Sequence, residues 1–170
     1  MKLFDHCQFL DGEGASLSVK FLARHLTVDL YNCQASKLQD QGAVEEVLNN
    51  DLRQLGYRVL NISSEPLSEH HFAFMVLFDA GHLVLHVYQD LRYVAIDIFL
   101  CHEEPQPEPI YQQFQKFFRP DKTKTTLLKR GDFGKDREIK PKIKTRVAPL
   151  RKIHNTGAKV IRILARRKQK

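Results

Sequence analysis

GHLVLHVYQDLRYVAIDIFLC, residues 81–101, is the stretch whose reading decides the fold. It holds two apolar runs, residues 82–88 and 93–101, divided by Gln89-Asp90. In the first run Val84, His86 and Tyr88 fall on one side of an extended chain and Leu83, Leu85 and Val87 on the other. A period of two is the signature of a strand. Two more runs of the same kind precede it, residues 57–62 and 72–78, with Asp79-Ala80-Gly81 as the turn before residue 82. A spacing of about 10 residues between runs predicts antiparallel strands joined by tight connections.

Outward from this centre the pattern changes. Toward the N-terminus Val44, Val47, Leu48, Leu52 and Leu55 recur at helical spacing over residues 41–55, and Gly56 ends the helix. Before it, VKFLARHLTVDLYNC (from Val19) is rich in β-branched and aromatic residues, and Leu26, Val28 and Leu30 alternate as in a strand. Toward the C-terminus Pro105, Pro107 and Pro109 lead out of the sheet, and Pro109 suits the first turn of a helix. Ile110, Phe114, Phe117 and Phe118 form the apolar stripe of that helix, and Pro120 stops it. Residues 123–128 read as a last strand. The order β-α-β-β-β-β-α-β predicts an α+β two-layer sandwich, a mostly antiparallel sheet with helices on one face.

The totals narrow the class. The chain has 170 residues, 42% of them apolar, enough for one domain and an appendage. No apolar run approaches the ~20 residues of a membrane span, and residues 1–14 lack the form of a signal peptide. Cys7, Cys33 and Cys101 are odd in number and widely spaced, which argues against a disulfide framework or a zinc site and for a reducing cytoplasm. The net charge of +7 conceals a division. Residues 1–134 carry 13 Lys and Arg against 18 Asp and Glu, whereas residues 135–170 carry 14 against 2. The expected organisation is an irregular leader (1–18), a mildly acidic domain (19–134) and a basic extension (135–170).

The segment 81–101 resembles the active-site segment of the small prokaryotic S-adenosylmethionine decarboxylase proenzymes. There a Glu-Ser-His is followed by a second histidine, an aromatic-rich turn and a strand ending in cysteine. The matching elements here are His82, His86, Tyr93, Ala95, Ile96, Asp97, Phe99 and Cys101, with no insertion between them. ARHLTVDLYNC (23–33) resembles the family's opening strand and KRGDF (129–133) its closing segment. The resemblance covers about residues 20–134. It implies a pyruvoyl-dependent carboxy-lyase acting on S-adenosylmethionine in spermidine formation, folded as an α+β sandwich and assembled as a homodimer. In that family the proenzyme cuts itself before an internal serine. The serine hydroxyl attacks the preceding carbonyl, the amide becomes an ester, and β-elimination leaves the pyruvoyl group, which accepts electrons as carbon dioxide leaves.

Gly81 stands at the position that the resemblance gives to this serine, between Ala80 and His82. Glycine supplies neither the attacking oxygen nor the leaving oxygen, Ala73 stands near the place of an upstream helper serine, and no serine follows Ser68. No pyruvoyl cofactor is therefore expected. The resemblance makes His86 a processing residue and Cys101 a proton donor. Against this stands packing alone, because a buried thiol is a small hydrophobe and a sheet histidine is often just hydrogen-bonded. A Gly81→Ser change, with Ala80→Glu, would ask whether the remaining machinery is intact.

Other signals are weaker. His70-His71, the pair His82/His86 and His102 are the residue type of a metal site, but descent accounts for His82 and His86, which would share a strand face and could meet. No metal site is expected. Gly12 and Gly14 lack the context of a phosphate loop. In the extension, Lys140, Lys142 and Lys144, Arg151-Lys152, and Arg166, Arg167 and Lys168 are runs of the kind that bind RNA or other polyanions, with no aromatic residue for base stacking. The extension is also read as a solvated or partner-docking tail, or as a self-docked dimer element. Three functions follow: a silent homologue that binds an S-adenosylmethionine-like molecule or modulates an active decarboxylase homologue; an enzyme with pyruvoyl-independent chemistry at His86 and Cys101; and a nucleic-acid or polyanion module acting through the tail. None involves a membrane.

Overall fold

The structure, a computed structural model, describes residues 23–101, 106–131 and 141–147. Seven strands form one antiparallel sheet in the order β2-β3-β4-β5-β1-β6-β7. They are β1 (Ala23–Tyr31), β2 (Val59–Ser68), β3 (His71–Phe78), β4 (Gly81–Tyr88), β5 (Tyr93–Leu100), β6 (Lys122–Arg130) and β7 (Lys142–Val147). Two helices, α1 (Gln41–Gln54) and α2 (Glu108–Phe118), lie on one face. This is the α+β sandwich that the alternating runs and helical stripes predict.

Each element follows from its residues. The carboxylate of Asp40 accepts from the backbone N–H of Ala43 (2.9 Å) and caps α1. Val44, Leu48 and Leu52 are the buried stripe of α1, while Ile110, Phe114 and Phe118 point the same way from α2. Arg119 adopts a left-handed conformation (φ 48°) at the end of α2, just ahead of Pro120. Leu83, Leu85 and Val87 on β4 and Val94, Ile96 and Ile98 on β5 are completely buried or nearly so beneath the helices. Sheet and helix stripes thus close over one core, worth about 1.5–3 kcal/mol per large side chain removed from water.

The hairpins set the register. Two residues, Asp79 and Ala80, join β3 to β4, so Ala73 lies opposite His86 and Phe78 opposite Gly81. The turn after Tyr88 is held by the Arg92 N–H donating to the Gln89 carbonyl (3.0 Å), with Arg92 at φ 49°. Arg92 also clamps the chain after β1: its Nε donates to the carbonyl of Cys33 and its own carbonyl accepts from Cys33 N–H, both at 2.8 Å. Beyond the expected last strand lies β7, drawn from the basic extension and paired to β6 from Lys122↔Val147 to Leu127↔Lys142.

Candidate functional site

Among the described residues no helix covers the second face of the sheet. Cross-strand neighbours share a face, so the registers arrange this surface in rows. One row runs His71–Tyr88–Tyr93–Tyr31–Lys122; the next runs Ala73–His86–Ala95–Asp29–Lys124. A third holds Met75, Val84, Asp97 and Thr27, and a fourth Leu77, His82, Phe99 and His25. Met75 is 60% exposed and Leu77 49%.

The Ala80–Gly81 junction lies at one end of β4. Gly81 faces Leu100 across the β4–β5 ladder, and the N–H of Cys101 donates to the carbonyl of Ala80 (2.9 Å). The backbone at Gly81 has φ +153°, a conformation that residues with a side chain rarely adopt. A Cβ placed there would overlap the carbonyl oxygen of Phe99 and press within 3.0 Å of its carbonyl carbon and 3.2 Å of Leu100 Cα. His82 is exposed and stacks on the Phe99 ring (5.1 Å, 9°). His25 meets the same ring edge-on and reaches Asp97 through Nε2 at 3.3 Å, while its Nδ1 is buried without a hydrogen-bond partner.

His86 lies at the other end of the hairpin, five strand steps from Gly81, or about 16 Å. Its Nδ1 is 3.1 Å from Nε2 of His71, so the pair shares a hydrogen bond in which one ring donates and the other accepts. His71 in turn stacks on Tyr88 (4.0 Å). Burial and the neighbouring His86 both lower the His71 pKa below the usual histidine value. Beside them the Tyr93 hydroxyl donates to the carboxylate of Asp29 (2.5 Å), and burial together with Asp29 raises the tyrosine's pKa well above 10. Lys122 sits over the ring of Tyr31 (5.0 Å), ending the aromatic row with a cation.

The predicted site residues therefore divide. Ala80, Gly81, His82 and Cys101 come together at one end. His86 does not join them, and it pairs with His71 rather than with His82. Lys142 and Lys144 lie on β7. Lys140, Arg166, Arg167, Lys168 and His102 lie outside the described residues, as does the leader 1–18. Among the described residues no three potential metal ligands converge, and no helix is long and apolar enough to cross a membrane. Asp29 and Tyr31 were not singled out from sequence, and Tyr88 and Tyr93 were named only as a strand-face residue and as an element of the family resemblance. Their alternation along β1, β4 and β5 is the signal, but it becomes informative only once the register is known.

Comparison with known proteins agrees with this architecture. The family profile described as S-adenosylmethionine decarboxylase matches residues 24–131. An "S-adenosylmethionine decarboxylase proenzyme" of Methanococcus maripaludis is 29% identical over 122 residues, 72% of this chain and 99% of the relative. A protein of the same name from Acetivibrio thermocellus is 26% identical over 112 residues, 66% and 90% of the two chains. Among solved structures, the adenosylmethionine decarboxylase of Aquifex aeolicus superposes with a TM-score of 0.58 at 18% identity, covering 71% of this chain and 99% of that one. An antiparallel sheet faced on one side by two helices, with a family profile spanning most of the sheet, defines the class. The chain belongs to the S-adenosylmethionine decarboxylase family.

Proposed function

We propose that this chain is a non-self-cleaving member of the family, acting in the cytoplasm in the context of spermidine formation, which holds an S-adenosylmethionine-like ligand without decarboxylating it. The observation that carries this reading is Gly81. Read as the cleavage position, it lacks the hydroxyl that must attack the Ala80 carbonyl and the oxygen that must leave in β-elimination. Its missing Cβ also coincides with space that the Phe99 carbonyl fills. The pyruvoyl group does not fit this chain, and no decarboxylation step is derived from it.

What remains suits binding rather than turnover. The uncovered face offers the aromatic row His71, Tyr88, Tyr93 and Tyr31 beside the carboxylate of Asp29, groups suited to a flat ring and a cationic centre. Exposed Met75 and Leu77 on the same face favour a second family chain, either another copy in a homodimer or an active decarboxylase homologue. The reading of His86 and Cys101 as a working acid–base pair gains no support, because one chain sets them at opposite ends of the hairpin.

The denatured mass of the purified chain tests the first half. One species of about 19.8 kDa is expected, and two fragments divided at Ala80–Gly81 would overturn it. Thermal melting with and without S-adenosylmethionine tests the second half. A ligand-dependent rise in Tm is expected, and no rise at millimolar ligand would remove the binding role. Native mass spectrometry then reads the number of chains in the assembly.

A further inference from the structure

The charge division seen in the sequence becomes a division in space. Residues 23–101, which build α1 and strands β1 to β5, contain ten Asp and Glu against five Lys and Arg. The described residues from 106 to 147, which build α2, β6 and β7, contain two against nine. Since β6 and β7 are the last two strands of the sheet, one edge is basic and the rest of the domain acidic.

At that edge the cations are ordered. Lys142, Lys144 and Arg146 alternate along β7 and so project from one face, opposite Leu127, Thr125 and Thr123 of β6. All three are exposed, and among the described residues none forms an ion pair. Neither β6 nor β7 contains a carboxylate. Two strand steps separate neighbours by about 6.6 Å, so the stripe is a straight, regular row of positive charge. In the sequence eight further Lys and Arg and no acid follow Val147.

We propose that the β7 stripe of Lys142, Lys144 and Arg146 is a site for the phosphodiester backbone of RNA, read without regard to base sequence. This goes beyond the ligand-binding reading and does not depend on it. The three side chains of the stripe are all cations, and the exposed Ile143 falls on the opposite face of β7, whereas a protein partner needs an apolar centre and a membrane surface an apolar wedge. Residues 135–170 contain no Phe, Tyr or Trp, so base stacking contributes nothing and the phosphates supply the affinity.

The test uses the full chain and a labelled mixed-sequence RNA strand of about 20 nucleotides, with anisotropy followed between 50 and 200 mM salt. The variant Lys142→Gln, Lys144→Gln, Arg146→Gln should bind more weakly. Three lost phosphate contacts should also flatten the slope of log affinity against log salt by about 2, so its affinity falls roughly 20-fold less across that range. The charge-keeping variant Lys142→Arg, Lys144→Arg, Arg146→Lys should bind as the parent does, which separates charge from the folding of β7. An unchanged slope in the glutamine variant would overturn the proposal and assign binding to residues beyond 147. So would RNA binding too weak to detect at 50 mM salt, or preferential capture by polyglutamate or by anionic vesicles.

Discussion

The carbonyl oxygen of Phe99 occupies the place where a side chain on Gly81 would begin. The contact is made by backbone on the neighbouring strand, held by the β4–β5 ladder, so it cannot turn aside as a flexible side chain can. Gly81→Ala should therefore destabilise the fold by about 2–3 kcal/mol in urea titration, combining overlap with a φ that disfavours Cβ. Gly81→Ser, alone or with Ala80→Glu, should remain one chain of about 19.8 kDa for the same reason. A serine variant that cuts itself would show that the ladder yields and that only the nucleophile is missing.

His71 gives the fold a dependence on acid. The folded pKa of His71 lies below its unfolded value of about 6.5, so the unfolded chain binds the proton more readily. Stability is then constant above that value and falls as pH drops through it. Melting between pH 7.5 and 5.5 should show a larger loss of Tm for the parent than for His71→Gln. Equal losses would place the acid sensitivity elsewhere.

The Tyr93 hydroxyl should resist ionisation. Its raised pKa means that the unfolded chain loses this proton first, so stability declines as pH rises above about 10. In a phenolate absorbance titration Tyr93 should be the late step, missing from Tyr93→Phe. The same variant leaves Asp29 without its donor and should cost about 1–2 kcal/mol at neutral pH.

Cys33 and Cys101 should differ in reactivity. Burial, opposed by Arg92 and reinforced by Asp121, pushes the Cys33 thiol up to about 12, and its Sγ donates to the Leu30 carbonyl (3.6 Å). Cys101 is only partly buried. Alkylation at pH 8 followed by peptide mapping should mark Cys101 while Cys33 stays unmodified, and urea should expose both. Rapid labelling of Cys33 in the native chain would contradict its burial.

Much of the fold was legible because alternation and helical stripes are local. Leu83, Leu85 and Val87 declare the buried face of β4 without knowledge of any other strand. The site was less legible, because its chemistry depends on register. Nothing within residues 81–86 announces that His86 meets His71, or that the space beside Gly81 is filled by Phe99. β7 was missed for a different reason. Lys-Ile-Lys-Thr-Arg-Val does alternate, but strong positive charge marked it as tail, and its pairing with β6 outweighs that composition.

The placement of β7 also bears on how the molecule avoids its own kind. A sheet that ended in β6 would present the unpaired amides and carbonyls of that strand as a template for indiscriminate strand addition. Among the described residues the edge beyond β6 belongs to β7, a short strand bearing three cations, and a second such edge approaching it meets like charge. The residues that give the domain a basic rim thus also guard that side of the sheet against strand addition by another copy.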